Sequence, residues 1–272
     1  MTTDTQIPNH VQERHSPVVA SSELAAVPEQ LFEPKFRWYA VIRPGLDFLL
    51  GLMLLTCLSP VIIGGAVAVK LTSPGPAFYC QTRLGRNGRK FTIVKLRTMV
   101  NNAEALTGPV WAASNDPRTT RLGRFLRNTH IDEFPQLFNV VTGQMGLIGP
   151  RPERPEIAES LEWEIPHFHQ RLQVRPGITG LSQLVLPADS DIEDVRRKFL
   201  SDVYYIRNMN PLLDAQVGVY TLTYLVSASW SGLRRFTSLP GLGRIEQKLA
   251  SECGADTVEE LYGKINRNRS NL

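Results

Sequence analysis

The chain has 272 residues, of which 42% are hydrophobic and 21% are charged. This composition excludes a wholly disordered chain, and the length suits one domain with tails. The net charge of +4 is small for the length, so charge alone does not distinguish nucleic acid, anionic lipid and phosphorylated substrates as partners.

The N-terminal segment, residues 1–34, contains Ser, Thr, Pro and scattered Glu without a sustained helical or strand period. We predict a disordered leader. The segment has no basic start followed by an apolar run and a cleavage site, so we expect no secretory signal peptide. The three cysteines of the chain are widely spaced and fit a reducing compartment. We therefore expect the soluble parts to face the cytoplasm.

An apolar segment of 24 residues runs from Leu46 to Val69, long enough to cross roughly 30 Å of hydrocarbon. Pro60 lacks an N–H and predicts a kink, and the hydroxyl of Ser59 can satisfy a freed backbone group. Lys and Arg flank both ends, which favours a re-entrant hairpin, broken at Ser59 and Pro60, over a spanning helix. Asp47 is either a polar group at the membrane interface or a partner of Arg43.

The remaining elements follow this segment. Short strands are predicted at 77–81 and 91–95, with Asn87 and Gly88 as the turn of a β-hairpin. Hydrophobic periodicity predicts helices at 119–128, 132–142, 153–172, 191–206 and 211–227, the last apolar enough to lie in the membrane interface. The predicted fold is therefore α/β and mainly helical, with a re-entrant membrane helix-break-helix hairpin, a small β-hairpin and interfacial amphipathic helices.

Two adjacent carboxylates, Asp132 and Glu133, lie where a helix is expected to begin. Pro135 is tolerated only in the first turn of a helix, which places the start near Ile131. The positive end of a helix stabilises an ionised carboxylate and attracts phosphate, and an ionised Asp can act as a nucleophile towards phosphorus. The alternative is that the two residues only cap the helix, which acidic residues commonly do.

Arginines recur every third residue just before these carboxylates, at Arg118, Arg121, Arg124 and Arg127. A phosphate-rich ligand would fit such a face, and Arg127, nearest the carboxylates, is the strongest phosphate-binding candidate. A solvated or headgroup-facing stripe explains Arg118 and Arg121 equally well.

Two further loops carry candidate ligands for phosphate. Prolines stiffen residues 149–155. The rigid loop would hold the guanidinium groups of Arg151 and Arg154 in fixed positions, which suits binding of a diphosphate. Residues 175–180, which begin with Arg175, contain the glycines and hydroxyl of a close backbone approach, although a plain turn is just as common. Clustered carboxylates and a polyanionic substrate also favour Mg²⁺ as the cofactor.

The order of these motifs resembles the bacterial sugar transferases known as monotopic phosphoglycosyl transferases, or polyprenyl-phosphate sugar-1-phosphate transferases. The resemblance runs from about Arg43 to Ser227. Its most specific parts are residues 127–136 with the Asp-Glu pair, residues 145–155 and residues 175–180. Weaker parts are the Ser59-Pro60 hairpin and residues 73–76, 81–85 and 95–99.

The resemblance implies that Asp132 attacks the sugar-bearing phosphorus of a UDP-sugar, releasing UMP, and that polyprenol (undecaprenyl) phosphate then accepts the phosphosugar. Glu133 would assist with Mg²⁺ or protons, so both carboxylates are the metal candidates. Lys95 and Arg97 also become candidates for binding substrate phosphate. The expected process is initiation of exopolysaccharide or a related glycan.

The expected location is the cytoplasmic face of the inner membrane. The domain prediction is a leader at 1–34, a membrane-associated transferase domain at 35–232 with its hairpin at 46–69, and an extension of unknown role at 233–272. We expect the membrane as a partner and no nucleic acid, and a homo-oligomer stays open.

The sequence departs from the family after residue 180. The usual Trp-Ala-Gln-Val-Asn-Gly-Arg is replaced by residues 181–187, so an arginine associated with substrate recognition is missing, and Arg175 or Arg154 is the candidate to compensate. His130 also replaces the usual Ser. The alternative function is a non-catalytic membrane adaptor that recruits glycan-assembly enzymes, against which the intact Asp132 and Glu133 argue.

Overall fold

The computed structural model describes residues 29–101, 103, 116–187, 191–227 and 239–261. Its helices are α1 (Arg37–Thr72), α2 (Arg121–Asn128), α3 (Leu137–Val141), α4 (Pro155–Glu164), α5 (Leu181–Val185), α6 (Ile192–Asn208), α7 (Pro211–Ser227), α8 (Leu242–Cys253) and α9 (Ala255–Leu261). Its strands are β1 (Phe78–Leu84), β2 (Lys90–Leu96), β3 (Gly146–Ile148) and β4 (Gly177–Thr179). Short 3₁₀ helices lie at Glu29–Phe32, Arg86–Gly88, Ile131–Gln136 and Phe168–Gln173. The mainly helical fold with a small β-hairpin is confirmed.

Helix α1 is continuous over 36 residues, with Pro60 inside it, so the predicted break into two helices is not confirmed. Because Pro60 has no N–H, it leaves the Thr56 carbonyl without its usual donor. The Ser59 hydroxyl donates to that carbonyl at 2.8 Å, as the sequence predicted. Among the described residues, α1 is the one helix long and apolar enough to cross a membrane.

Both halves of α1 contact the rest of the domain. A Cβ on Gly51 would lie 2.8 Å from the Val140 side chain, and one on Gly65 would lie 2.7 Å from the Leu96 side chain. Glycine at these two positions allows the close approach. Most other α1 side chains, such as Leu49, are exposed. The helix therefore has one face on the domain and a broad apolar face without a partner in the described chain.

A buried polar cluster fixes the start of α1 to the domain. Arg43 Nε lies 3.0 Å from Asp214 Oδ2 and 3.9 Å from Asp47 Oδ2. The hydroxyls of Tyr39 and Tyr205 each donate to Asp214 at 2.7 Å. The Leu147 N–H donates to Asp47 Oδ1 at 3.1 Å. Asp47 is therefore the buried partner of Arg43, which is the second of the two interpretations that the sequence allowed.

The antiparallel hairpin of β1 and β2 forms at the predicted place. Phe78 pairs with Leu96 and Leu84 with Lys90. Asn87 has a φ of 57° and Gly88 a φ of 72°, as a tight turn of this kind requires.

A second, parallel pairing joins two motifs that the sequence left as loops. Gly146 of β3 pairs with Gly177 of β4. A Cβ on Gly177 would lie 2.1 Å from the Gly149 nitrogen, and one on Gly180 would lie 2.2 Å from the Gly149 oxygen. The close backbone approach expected for residues 175–180 is therefore made to the chain's own 149–150 segment.

The predicted helix at 153–172 is wrong as a single element. Helix α4 ends at Glu164 and a 3₁₀ helix starts at Phe168. Pro166 disfavours helical geometry at Ile165, and His167 has a left-handed φ of 64°.

The main hydrophobic core combines segments from both ends of the chain. Leu31 and Phe32 are each 1% exposed and pack with α6, so the predicted leader does not extend to residue 34. Residues 1–28 lie outside the described part. Ile245 and Leu249 of α8 are buried in the same cluster. The described part of the C-terminal extension therefore belongs to this core.

Candidate active site

The carboxylates begin a helical segment, as predicted. Residues Ile131–Gln136 form a 3₁₀ helix that includes Pro135 and continues directly into α3. Asp132 is 8% exposed. His130 precedes the pair with a left-handed φ of 56°, which turns the chain from α2 into this helix. The arrangement places both carboxylates in the first turn, where backbone N–H groups lack intrahelical partners.

Glu133 is held between two cations. Lys95 Nζ donates to its Oε1 at 2.6 Å, and Arg151 Nη2 lies 3.5 Å from the same oxygen. Burial opposes ionisation of Glu133, but Lys95 and Arg151 outweigh it and lower its pKa to about 2. Glu133 is therefore ionised throughout the physiological range.

Asp132 has the opposite shift. Burial and the negative charge of Glu133 raise its pKa to about 6, although Lys95 and Arg127 act in the other direction. Two neighbouring carboxylates whose environments separate their pKa values in this way are suited to different roles. Asp132 is the carboxylate with the higher basicity, and Glu133 supplies a fixed negative charge beside it.

Arg127 is positioned by hydroxyl groups. Its Nε donates to Thr98 Oγ1 at 2.8 Å and its Nη1 to Thr119 Oγ1 at 3.3 Å. These hydroxyl partners are uncharged, and the Arg127 guanidinium acts to lower the pKa of Asp132. The role of Arg127 as a phosphate ligand stays a prediction. Arg118 lies before α2 and pairs instead with Asp116 at 2.6 Å.

The proline-rich loop is tied to the end of β1. Arg83 Nη1 donates to the Pro152 carbonyl at 3.0 Å, and the Leu84 N–H donates to the Glu153 carbonyl at 2.9 Å. These contacts present Arg151 to Glu133. The loop is therefore fixed by its neighbours as well as by its prolines.

Arg171 holds the same loop from the other side, and sequence reasoning missed it. Its Nη2 donates to Asp202 Oδ2 at 2.6 Å and to the Arg151 carbonyl at 3.1 Å, and its Nη1 lies 3.4 Å from Glu153 Oε1. Ser182 donates to the other oxygen of Asp202 at 2.8 Å. The buried ion pair of Arg171 and Asp202 joins residues that are distant in sequence, so no local sequence pattern predicts it.

Three of the predicted phosphate ligands have other surroundings. Arg97 is buried and donates to the Ser73 carbonyl at 2.7 Å, beneath the end of α1. Arg154 lies 3.7 Å from Glu156 at the start of α4. Arg175 lies against Gly143, just beyond the end of α3 that is remote from Asp132. Lys95, Arg127 and Arg151 are the cations that the structure brings to the carboxylates.

Helix α7 contacts His130, which precedes the carboxylates, and also contacts the 175–180 loop. The His130 ring lies 5.5 Å from the Tyr224 ring. Thr179 Oγ1 and Thr221 Oγ1 are 2.8 Å apart and hydrogen-bonded. Helix α7 therefore contacts both the residue that precedes the carboxylates and the 175–180 loop, and of these side chains only His130 and those of the 175–180 loop were singled out in the sequence.

The sequence of the chain matches the profile of a known family. The bacterial sugar transferase family profile matches residues 38–228, more than half of the chain and all of the site just described. The chain belongs to the bacterial sugar transferase family. The predicted resemblance is confirmed.

Several relatives of this chain carry specific names. The UDP-N-acetylgalactosamine-undecaprenyl-phosphate N-acetylgalactosaminephosphotransferase of Aeromonas hydrophila is 40% identical over 189 residues, 70% of this chain and 44% of that protein. A UDP-glucose:undecaprenyl-phosphate glucose-1-phosphate transferase of Caulobacter vibrioides is 38% identical, covering 67% of this chain and 68% of that protein. The exopolysaccharide production protein PSS of Rhizobium leguminosarum bv. phaseoli is 37% identical, covering 65% and 91%. The chain thus spans less than half of the Aeromonas relative.

Asp132 and Glu133 would fit a magnesium ion whose remaining ligands are water and substrate phosphate. Among the described residues, no group of three or more His, Cys, Asp or Glu side chains could hold a metal. Mg²⁺ commonly binds one or two carboxylates together with water and substrate phosphates, so Asp132 and Glu133 are a sufficient protein contribution. A cation would also relieve the repulsion that helps to raise the pKa of Asp132.

The raised pKa of Asp132 predicts a pH dependence. If the ionised carboxylate is the reacting form, UMP release should be constant above pH 7 and should fall tenfold per pH unit well below about pH 6. If Mg²⁺ binds beside Asp132 it would favour the ionised carboxylate, and raising its concentration should then move the midpoint to lower pH. Initial rates between pH 4.5 and 8 at two Mg²⁺ concentrations would measure both effects. A rate that rises below pH 6 would contradict the assignment.

Proposed function

We propose that the protein transfers a sugar-1-phosphate from a UDP-sugar to polyprenol phosphate through a covalent intermediate on Asp132. The observation that carries this proposal is the pair of carboxylates with separated pKa values, at a helix start and surrounded by Lys95, Arg127 and Arg151. The names of the relatives support the same donor and acceptor classes.

In the first proposed step, an oxygen of ionised Asp132 attacks the sugar-bearing phosphorus. The bond from that phosphorus to the bridging oxygen breaks, and UMP leaves with the electron pair. Arg127 and Arg151 face the phosphate charge, which is where fixed cations stabilise a phosphoryl-transfer transition state. Mg²⁺ held by Asp132 and Glu133 would add charge neutralisation when bound.

In the second proposed step, a phosphate oxygen of polyprenol phosphate attacks the same phosphorus. The bond to Asp132 breaks, the carboxylate is restored, and the sugar remains on a polyprenyl diphosphate. Lys95 Nζ donates to Glu133 Oε1 at 2.6 Å, and this ion pair keeps the charges around Asp132 in fixed positions through both steps. Their contribution is electrostatic preorganisation.

We also propose that α1 is re-entrant and that the catalytic domain lies on the cytoplasmic face of the inner membrane. Basic residues flank both ends of α1, including Lys35 and Lys70. Both halves of the helix pack on the same domain, and Ser59 satisfies the carbonyl freed by Pro60. A fixed attachment of this kind suits a chain whose acceptor is a membrane lipid. The product would begin an exopolysaccharide or related glycan.

The proposal predicts a two-step reaction that can be separated. Protein incubated with a UDP-sugar labelled at the sugar-bearing phosphate should retain label covalently and release UMP before any acceptor is added. Addition of polyprenol phosphate should then remove the label from the protein. A panel of UDP-sugars in the same assay would identify the sugar. Label transfer that requires both substrates at once would exclude the covalent intermediate.

A further inference from the structure

A cavity of about 760 Å³ lies on the side of the domain where the start of α1, the end of α6, the start of α7 and helix α8 meet. Lys35, Arg244 and Lys248 line it, together with amide side chains such as Asn208 and Gln247. No carboxylate is among the described residues that line it. The cavity is therefore basic and rich in hydrogen-bond donors, which suits an anion.

The two cations on α8 have uncharged hydrogen-bond partners. Arg244 Nη2 donates to the Leu239 carbonyl at 3.3 Å, and Lys248 Nζ donates to the Tyr204 hydroxyl at 3.4 Å. The Lys248 ammonium also lies 5.3 Å from the centre of the Tyr204 ring. These partners are uncharged, so they orient the cations without neutralising them. Lys35 differs, because Glu252 pairs with it at 2.6 Å.

Exposed apolar side chains also line the cavity close to the start of α1. Phe36 is 42% exposed and Leu212 is 68% exposed, and both line the cavity. Trp38, two residues further along the chain on α1, is 56% exposed. Exposed cationic side chains beside exposed apolar and aromatic side chains are the arrangement found at a membrane interface, where phosphate headgroups meet acyl chains.

We propose that this cavity binds the phosphate headgroup of an anionic membrane phospholipid, with Arg244 and Lys248 as its principal ligands and the acyl chains along Phe36, Trp38 and Leu212. The inference depends on the membrane association proposed above but not on the phosphotransfer reaction. The bound lipid would fix the depth and tilt of the domain at the membrane surface.

The cavity is separate from the candidate active site. Leu212 at the start of α7 lines the cavity, whereas Tyr224 near its end borders His130. These positions are roughly 18 Å apart along the helix axis. Helix α8 also lies beyond residues 38–228, the part that the family profile matches. The cavity therefore depends on the chain's own C-terminal extension.

Lipid binding can be measured on the full chain in neutral detergent by native mass spectrometry. We expect titration with phosphatidylglycerol to give a saturable one-lipid adduct and phosphatidylcholine to give little. The double variant Arg244→Gln with Lys248→Gln should weaken phosphatidylglycerol binding by about tenfold to thirtyfold, since each basic side chain near a headgroup is worth about 1 kcal/mol. The charge-matched control Arg89→Gln with Lys90→Gln, on the exposed hairpin turn, should bind as the parent does.

A charge-preserving variant separates the ligand role from a structural one. Arg244→Lys with Lys248→Arg should retain most of the binding, and its unfolding temperature in detergent should match that of the Gln variant. Equal phosphatidylglycerol adducts in the parent and the Gln variant would overturn the proposal. Full competition by millimolar inorganic phosphate would also overturn it, because the site would then belong to a free phosphate compound. Stronger competition by polyprenol phosphate than by phosphatidylglycerol would assign the cavity to the acceptor instead.

Discussion

Replacing Asp132 with Asn is expected to reduce UMP release by about 10³-fold or more and to abolish covalent labelling of the protein. The amide has nearly the shape of the carboxylate but cannot form the acyl phosphate. Steady-state UMP release and retention of labelled sugar phosphate measure the two effects separately.

The same variant should not unfold more easily. Burial and the charge of Glu133 raise the pKa of Asp132 to about 6, so its ionised form is disfavoured in the folded state. This cost is absent at low pH, where Asp132 is protonated, and appears as the pH rises from the ordinary carboxyl pKa through about 6. At pH 7.5 the neutral Asn side chain should therefore leave the unfolding temperature unchanged or raise it.

A matched control is Asp191→Asn, which alters the capping residue of α6. It should keep normal UMP release and nearly all of its stability, because the Asn amide oxygen can still accept the hydrogen bond from the Asp194 N–H. Normal labelling of the Asp132→Asn protein would show that another residue is the nucleophile. Loss of activity with a lowered unfolding temperature would show that Asp132 has a structural role.

The features predicted correctly from sequence are those with local causes. Pro135 correctly predicted the start of the helix at Asp132, and Asn87 with Gly88 predicted the hairpin turn. Ser59 donates the predicted hydrogen bond to the carbonyl that Pro60 leaves without a donor. Each depends on the chemistry of residues within one turn of the chain. Local preferences of this kind agree with the final fold in natural proteins, so they can be predicted without knowledge of tertiary contacts.

The surroundings of the arginines could not be predicted from the sequence. Arg97 and Arg151 are both predicted phosphate ligands, yet Arg97 is buried beneath the end of α1 while Arg151 faces Glu133. The direction of a side chain is set by long-range packing, as is the burial of Leu31 and Phe32 in the core. Arg175 lies at the far end of α3, so this geometry does not support it as a replacement for the missing family arginine.

Replacing Arg171 with Met is expected to destabilise the fold by about 3–5 kcal/mol, because it leaves Asp202 as an uncompensated buried charge. A loss of this size should lower the unfolding temperature by roughly 10 °C. The exposed ion pair of Arg197 with Asp194 provides the control, and Arg197→Gln should cost less than about 1 kcal/mol.

Asp202 supplies two further tests of the Arg171 prediction. Burial already raises its pKa, and removal of Arg171 should raise it further, so the deficit of Arg171→Met should shrink as the pH falls and Asp202 takes up a proton. Adding Asp202→Asn to Arg171→Met should recover part of the stability while the Ser182 hydroxyl keeps an acceptor. A deficit that is independent of pH would contradict the buried-charge explanation.

Activity of the recovered Arg171→Met and Asp202→Asn double variant would then isolate the positioning role of Arg171. The double variant still lacks the donor to the Arg151 carbonyl and the contact with Glu153. Arg151 should therefore be held less firmly beside Glu133, and KM for the UDP-sugar should rise more than kcat falls. If KM is unchanged in the stable double variant, the proline-rich loop is held sufficiently by Arg83 and Leu84, and Arg171 serves stability alone.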